Sequence, residues 1–400
     1  MLLQYAERLK LLGTETAFAV LDRITSFPPE RQHHIISFAL GEPDFNTPDH
    51  IKRAAISSIN ANRTHYTPSG GILPLRESIA EFITESKHLK VNAQNIVVFP
   101  AAKLVIGLAI LTCTNPGDEV IYPNPGYPIY ESMIKTFGCK AVPAPLLERN
   151  QFNYDTNTLR DLITTKTRMI VLNTPNNPTG SVLNNQNLEA IADMALEHDL
   201  WILSDEIYSN IIFDNQKFHS IAELPGMQER TIILDGFSKF FAMTGWRLGF
   251  SVTNPQLATT FARWATNLIS CTATFIQDAG IVAMQEPKEE SLAMVREFQA
   301  RRDLIHKLLN EIDGISAVKP RGAFYIFANV TKACQNLGLK DSIEFQDYIL
   351  DKADVAILSR TYFGARPPDE NDHFVRFSYC ISREQIIEGL ARIKQAVENP

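Results

Sequence analysis

The chain has 400 residues, 45% of them hydrophobic, and a formal net charge of -7 at pH 7. This length allows one large hydrophobic core with a smaller companion, and the acidic balance argues against a protein that binds nucleic acid through its phosphates. The five cysteines stand singly without a Cys-x-x-Cys pair, so neither a disulfide framework nor a metal site is expected, and a reducing compartment fits.

The first twelve residues mix charged and polar side chains with apolar ones, so they lack the apolar core of a signal peptide. Apolar runs elsewhere, such as Leu104–Leu111, fall far short of the roughly 18 to 20 residues that span a bilayer. We therefore expect a cytoplasmic protein with neither a membrane nor a nucleic acid as partner.

Between residues 95 and 252, short apolar runs alternate with longer amphipathic ones, which is the pattern of a mainly parallel sheet covered by helices. The stretch Gln186–His198 has apolar residues at helical spacing and is a predicted helix. Five runs rich in Val, Ile or Leu are the predicted strands: Asn95–Phe99, Glu119–Pro123, Arg168–Asn173, Trp201–Asp205 and Thr231–Gly236.

The pattern changes after residue 252. Pro287–Asn310 predicts a long polar helix, and Gly322–Ala328 predicts a strand. Two further apolar runs, Val355–Leu358 and Phe374–Phe377, precede an amphipathic helix over Ser382–Val397. These elements fit a smaller α+β domain at the C-terminus.

Polar residues follow four of the five predicted strands, where ligands of open α/β sheets bind. Each cluster also has an ordinary explanation: Asn-Pro-Thr-Gly suits any tight turn, Asp205 could cap a helix, and Lys239 alone would be a surface charge. These explanations do not account for the order and shared position of the clusters. The four are Phe99–Lys103, Asn173–Gly180, Ser204–Tyr208 and Gly236–Lys239.

Three motifs resemble those of the class I/II aminotransferases, and the aspartate aminotransferase-like subgroup most of all. They are Asn176–Gly180 (Asn-Asn-Pro-Thr-Gly), Ser204–Tyr208 (Ser-Asp-Glu-Ile-Tyr) and Ser238–Gly249, in which a lysine precedes a glycine-containing turn and an arginine. The third motif is the most specific. The resemblance extends over nearly the whole chain, from Gly41–Phe45 and Tyr66–Gly71 to Val375–Ser378.

The resemblance implies an α/β fold of the pyridoxal-phosphate (PLP) fold-type I. Such a fold has a large domain, with a mainly parallel seven-stranded sheet between helices, and a smaller α+β domain. We expect an N-terminal arm and part of the small domain in residues 1–45, the large PLP-binding domain in 46–285, and the C-terminal small domain in 286–400.

The resemblance also assigns catalytic roles. PLP withdraws the electrons left on a substrate's Cα when its proton is removed, and Lys239 is expected to hold the cofactor as a Schiff base and to move that proton. Asp205 would keep the pyridine nitrogen protonated. Asn177 and Tyr208 would bind the phenolic oxygen, and Tyr127 would stack on the ring.

The cofactor's phosphate is expected at the start of the helix that follows the first strand. Backbone groups of Ala101, Ala102 and Lys103 would bind it, although relatives often carry glycine at the two alanines and Lys103 could equally be a surface charge. Side chains implied at the phosphate are Ser238, Arg247 and, from a neighbouring subunit, Tyr66. The last of these implies a homodimer.

For the substrate, Arg376 matches the arginine that binds the α-carboxylate through a bidentate pair. Gly41 matches a backbone group that closes over the same carboxylate, and Asn177 is assigned to the substrate as well. The predicted reaction moves an amino group between an L-α-amino acid and a 2-oxo acid, with aspartate-type or broad specificity.

Alternatives remain at this point. A PLP-dependent β-eliminating carbon-sulfur lyase shares these motifs, and a non-catalytic sensor of PLP or amino acids is a further alternative. A serine hydrolase is disfavoured because Gly236–Phe240 lacks the last glycine of a nucleophile elbow, and a dinucleotide enzyme because no Gly-x-Gly-x-x-Gly follows the first strand. The preferred side chain depends on loop residues such as Phe18 and Tyr362–Arg366; Arg366 could bind a carboxylate but fits a solvated arginine better.

Overall fold

A computed structural model describes residues 5–13, 17–367 and 370–400, without the side chains of residues 17–19 and 21, so the Phe18 side chain lies outside it. The α-helices of this part of the chain are α1 (Ala17–Thr25), α2 (Pro29–Gln32), α3 (Asp49–Asn60), α4 (Leu73–Lys87), α5 (Lys103–Cys113), α6 (Ile129–Thr136), α7 (Thr156–Asp161), α8 (Asn185–Glu197), α9 (Pro255–Leu268), α10 (Thr274–Gln285), α11 (Glu289–Leu309), α12 (Thr331–Leu337), α13 (Ser342–Ala353) and α14 (Arg383–Glu398). Short 3-10 helices cover Glu7–Leu11, Ala93–Asn95, Glu148–Asn150, Ile221–Glu223, Thr244–Trp246 and Arg360–Tyr362.

The β-strands form one large sheet and two small ones. They are β1 (Ile36–Ser37), β2 (Ile96–Phe99), β3 (Glu119–Asn124), β4 (Lys140–Pro145), β5 (Thr167–Asn173), β6 (Trp201–Asp205), β7 (Thr231–Gly236), β8 (Gly249–Val252), β9 (Ser316–Ala317), β10 (Tyr325–Asn329), β11 (Val355–Ala356), β12 (Leu358–Ser359) and β13 (Phe374–Ser378).

The large sheet has seven strands in the order β2-β8-β7-β6-β5-β3-β4. Only β8 runs antiparallel to its neighbours, so the predicted fold class, with its mainly parallel sheet, is confirmed. The five predicted strands agree with it to within one residue. Two strands were not predicted: β4 contains two prolines and lies at the sheet edge, where prolines are tolerated, and β8 has four residues and begins with glycine.

Helices cover both faces of this sheet, because successive side chains of a strand point to opposite faces. Leu203 and Leu234 pack with α5, α6 and α9 on one face. Ile202 packs with α8, and Ile233 with α3, α4 and α10, on the other. The carboxyl ends of β5, β6 and β7 therefore open at one edge between two helical layers.

The C-terminal part of the chain has its own sheet, in the order β12-β13-β10-β9, and its own buried core. The predicted helices over 287–310 and 382–397 are confirmed with bounds shifted by one or two residues. The predicted strand over 322–328 begins at Tyr325, because Gly322 instead bridges to Ile212 and its amide donates to the oxygen of Gly180. The predicted strand over 355–358 is divided into β11 and β12.

The N-terminal strand β1 pairs with β11, with Ile36 opposite Val355. Residues just before Gly41 thus lie against the C-terminal sheet, and Ser378 donates its amide proton to the oxygen of Phe38. None of the described helices combines the length and apolar character needed to cross a membrane.

Candidate active site

A pocket lies at the carboxyl ends of the parallel strands, between the large sheet and the C-terminal sheet. Of the site residues predicted from sequence, all but Ala101 and Tyr66 line it. Those lining it are Gly41, Ala102, Lys103, Tyr127, Asn177, Asp205, Tyr208, Ser238, Lys239, Arg247 and Arg376.

Lys239 follows β7 and extends its amine into the centre of the pocket. Its Nζ donates a hydrogen bond to the backbone oxygen of Gly41, at 2.7 Å. The same Nζ lies 5.9 Å from the ring centroid of Tyr208 and 5.7 Å from that of Phe324. An amine held among rings and a carbonyl is suited to nucleophilic and proton-transfer chemistry.

Asp205 ends β6 and is 5% exposed. Burial raises the pKa of its carboxyl to about 7, although hydrogen bonds from Tyr130 and from the amide of Ile207 act in the opposite direction. The Tyr130 hydroxyl donates to Oδ2 at 2.5 Å. A cationic N–H donor placed beside such a buried carboxyl would stabilise its ionised form.

Arg376, on β13, is 4% exposed and reaches across to the turn that follows β5. Its Nη1 donates to Oδ1 of Asn177 at 2.9 Å, and its Nη2 donates to the oxygen of Ala39. The guanidinium carbon lies 4.5 Å from the Tyr325 ring centroid and 4.9 Å from that of Phe363. This planar cation is positioned for a carboxylate ligand.

The Tyr208 hydroxyl lies 2.8 Å from the hydroxyl of Tyr325, on β10 of the other sheet. Burial, followed by the neighbouring Tyr325, raises the pKa of Tyr208 far above its usual value. The phenol of Tyr208 therefore keeps its proton at neutral pH and can donate it to an acceptor in the pocket.

The anionic end of a ligand would meet the first turn of α5. Ala102 and Lys103 line the pocket there, and Ser238 and Arg247 line it as well. A Cβ on Gly249 would lie 2.2 Å from the amide nitrogen of Ala102, so only glycine allows β8 to approach the start of α5 this closely. The third sequence motif thus brings its last glycine to the start of α5, and its arginine lines the same pocket.

Ala101 is buried just before α5 and does not line the pocket. Its φ of 119° lies where glycine is favoured, so the backbone here has a conformation that glycine would adopt with less strain than alanine. Tyr66 also lies outside the pocket and is 90% exposed.

Tyr127 lines the pocket beside Lys103, whose Nζ lies 5.5 Å from the Tyr127 ring centroid. The ring meets Tyr130 edge to face, with centroids 5.7 Å apart. Arg366 does not line the pocket, and its Nη2 donates to the oxygen of Asp372.

A buried ion cluster fixes the ends of β6 and β7 next to the pocket. Lys87, at the end of α4, places its Nζ 2.6 Å from Glu206 and 3.2 Å from Asp235. All three side chains are at most 5% exposed. Asp235 also accepts from the amide of Gly236 at 2.7 Å, so the cluster holds both the segment after Asp205 and the segment that leads to Lys239.

These groups fit PLP. Helix-terminal amides and Arg247 suit a phosphate, Asp205 suits a protonated ring nitrogen, and the amine of Lys239 suits an aldehyde. Among the described residues, no group of three or more His, Cys, Asp or Glu could hold a metal ion.

The pocket residues that sequence reasoning did not assign include two buried tyrosines, Tyr130 and Tyr325. Tyr130 lies three residues after Tyr127, one helical turn away, which is a signal that both could face one site. Tyr325 stands in an apolar run predicted as a strand, and nothing in that run distinguishes it from a core tyrosine.

Comparisons with known proteins identify one family over nearly the whole chain. The family described as aminotransferase class I and II matches residues 33–393. The aspartate aminotransferase of Musicola paradisiaca is 36% identical over 98% of this chain and 96% of its own length. The aromatic-amino-acid aminotransferase 2 of Thermococcus litoralis is 39% identical over 91% of this chain and 92% of its own length. Among solved structures, the aspartate aminotransferase from Rhizobium meliloti has a TM-score of 0.92 at 31% identity, over 99% of both chains.

Proposed function

The chain belongs to the class I and II aminotransferases and uses pyridoxal phosphate, and from this premise we propose that it is a broad-specificity enzyme accepting aspartate and aromatic amino acids. The observation that carries the proposal is the composition of the pocket. Leu40, Tyr362 and Phe363 are part of its lining, and the Phe363 ring centroid lies 4.9 Å from the guanidinium carbon of Arg376. An apolar lining suits an aromatic side chain.

Similar proteins carry both names. The relative from Musicola paradisiaca is an aspartate aminotransferase, and that from Thermococcus litoralis an aromatic-amino-acid aminotransferase, at nearly equal identity to this chain. This balance supports breadth over a single preferred side chain.

We propose the following roles for the pocket residues. Arg376 binds the substrate's α-carboxylate through both guanidinium nitrogens, and Gly41 closes over it. Lys239 Nζ takes the proton from the substrate's Cα and later returns a proton. Bound pyridoxal phosphate supplies the electron sink for the charge left on Cα.

The other residues hold and tune the cofactor. We assign Asp205 to its ring nitrogen, Asn177 and Tyr208 to its phenolic oxygen, and Tyr127 to its ring face. The residues assigned to its phosphate are Ala101, Ala102, Lys103, Ser238, Arg247 and the partner's Tyr66.

We also propose a homodimer in the cytoplasm. The 90% exposed Tyr66 supports a second subunit, because it is assigned to the phosphate yet stands outside its own chain's pocket. The domain division stays at 1–45, 46–285 and 286–400, supported by the restriction of the large sheet to residues 96–252 and of the four-stranded sheet to 316–378.

A half-reaction screen tests the specificity. Cofactor-loaded protein is mixed with one amino acid at a time, and the loss of the visible cofactor absorbance and the keto-acid product are followed. L-Aspartate, L-phenylalanine and L-tyrosine should each give their 2-oxo acid, and 2-oxoglutarate should restore the absorbance. Conversion of only one class contradicts the breadth; pyruvate with ammonia or sulfide from cysteine conjugates, without aminated cofactor, supports the lyase alternative instead.

Arg376→Lys is the matched control, because it keeps the charge and removes the planar pair of donors. It should lower kcat/KM about 10- to 100-fold for all three amino acids alike. An effect restricted to aspartate would contradict the assignment of Arg376 to the α-carboxylate.

A further inference from the structure

The hydroxyl pair of Tyr208 and Tyr325 joins the two sheets at the pocket. The oxygens are 2.8 Å apart, and both side chains are at least 96% buried, with exposures of 4% and 2%. Tyr208 follows β6 of the large sheet, whereas Tyr325 begins β10, whose neighbour β13 carries Arg376.

Three neighbours fix the position of the Tyr325 side chain. Its ring lies under the guanidinium of Arg376, at 4.5 Å, and edge to face with the ring of Tyr208, with centroids 5.6 Å apart. Its hydroxyl lies so close to Gly41 that a Cβ there would be 1.9 Å away. The hydroxyl oxygen therefore has little freedom to leave Tyr208.

The direction of the hydrogen bond follows from counting protons. A phenol has one proton to donate and an oxygen that accepts. If Tyr208 gives its proton to the cofactor's phenolic oxygen, as proposed above, then the bond within the pair must run from Tyr325 to Tyr208. If Tyr208 instead gave its proton to Tyr325, the phenolic oxygen would receive no proton from Tyr208.

We propose that Tyr325 is a positioning residue that donates its hydroxyl proton to Tyr208 and so directs the Tyr208 proton to the phenolic oxygen of the cofactor. Donation into Tyr208 also makes it a stronger donor, because hydrogen bonds in a chain polarise one another. This inference rests on the proposed function. Burial raises the pKa of Tyr208, so this phenol keeps a proton that it can donate.

The test is the pH titration of the visible absorbance of the bound cofactor. Its midpoint rises when the phenolic oxygen loses a donor, because the negative charge on that oxygen is then less stabilised and the proton is held more tightly. Tyr208→Phe should raise the midpoint by about one pH unit, and Tyr325→Phe by about half a unit. Phenylalanine at 325 keeps the ring under Arg376 and removes only the hydroxyl.

A double-substitution cycle separates an effect that passes through the Tyr208 hydroxyl from general disturbance of the fold. In the Tyr208→Phe background, Tyr325→Phe should add no further shift, because its effect passes through the Tyr208 hydroxyl. Tyr154→Phe is the control: Tyr154 is a buried tyrosine outside the pocket whose hydroxyl donates to the oxygen of Val171. Tyr154→Phe should leave the midpoint unchanged while lowering the melting temperature about as much as Tyr325→Phe does.

The results are decisive in both directions. An unchanged midpoint in folded Tyr325→Phe, or an equal shift in the presence and absence of the Tyr208 hydroxyl, overturns the inference. Should Tyr325→Phe lose its fold, the same titration with Tyr325→His, which retains a donor, must then stay within about a quarter unit of wild type. A wild-type protein that binds no cofactor and shows no visible band would instead contradict the proposed function.

Discussion

Tyr130 and Asp205 form a buried hydrogen bond in the pocket that affects the charge state of Asp205. Burial raises the pKa of Asp205 to about 7, and the donation from Tyr130 limits that rise. In the protein without cofactor, burial on folding disfavours the ionised form of the Asp205 carboxyl. The contribution of Asp205 to stability therefore falls as the pH rises from about 4 to about 7, since the unfolded chain releases its proton first.

In Tyr130→Phe the pKa of Asp205 should rise further, because the hydrogen-bond donor is gone. The fall in stability with rising pH should therefore continue above pH 7. We expect the cofactor-free variant to be destabilised at pH 8 by about 1 to 3 kcal/mol and clearly less at pH 5, where Asp205 is protonated. Thermal melts at both pH values check this. Tyr154→Phe removes a hydroxyl that donates to the carbonyl of Val171, so its loss of stability should be the same at both pH values. A loss for Tyr130→Phe that is equal at pH 5 and pH 8 would contradict the account.

At the residue scale, the sequence predicted the charged site residues and those that stand within motifs. It missed two tyrosines that contact them, Tyr130 and Tyr325. Asp205, Lys239 and Arg376 stand in recognisable strings, with polar or charged residues at the ends of apolar runs. The Tyr130 hydroxyl contacts Asp205, 75 residues away in the chain, and the Tyr325 hydroxyl contacts Tyr208, 117 residues away. Spacing along a sequence carries no information on such contacts.

Elements were predicted where the pattern was long and regular. Strands β6 and β7 have the predicted bounds because each is a largely buried run that ends in a polar or turn residue, Asp205 in β6 and Gly236 in β7. Strand β4 was missed because two of its six residues are prolines, which are rare in strands, and the start of β10 was placed three residues early because Gly322 pairs with another segment. Tertiary contacts, which a local pattern does not contain, decided both cases.

The ion cluster of Lys87 shows how elements are fixed around the pocket. Burial lowers the pKa of Lys87, but Glu206 and Asp235 offset this and raise it overall. Lys87→Met would leave two buried carboxylates without their cation and should destabilise the protein by about 3 to 5 kcal/mol. Denaturant unfolding of the cofactor-free protein measures this.

Lys140→Met is the matched control, because Lys140 pairs with Glu119 at 2.8 Å but is 69% exposed. Its loss should cost less than about 1 kcal/mol. Similar losses for the two variants would mean that the Lys87 cluster does not fix the strand ends.

At the scale of the whole molecule, the pocket needs residues from both sheets and, in our proposal, from a second subunit. Tyr66→Phe tests the latter. A hydroxyl on a side chain that is 90% exposed within one chain should have no effect on that chain's own pocket. If the partner's Tyr66 binds the phosphate, the variant should bind the cofactor several-fold more weakly.

The measurement is the equilibrium dissociation constant of the cofactor, taken together with the mass of the particle in solution. Ser270→Ala, a substitution of another surface hydroxyl not assigned to the site, serves as control. An unchanged dissociation constant in a dimeric Tyr66→Phe protein would remove Tyr66 from the site, and a monomer with full activity would remove the dimer as well.

The central claim is that Lys239 holds the cofactor, and borohydride reduction of the purified, cofactor-loaded protein followed by peptide mapping tests it most directly. The account predicts one pyridoxyl group per chain, attached at Nζ of Lys239, and none in Lys239→Ala. A label at Lys103 or another lysine, or a wild-type protein that takes up no label, would contradict it.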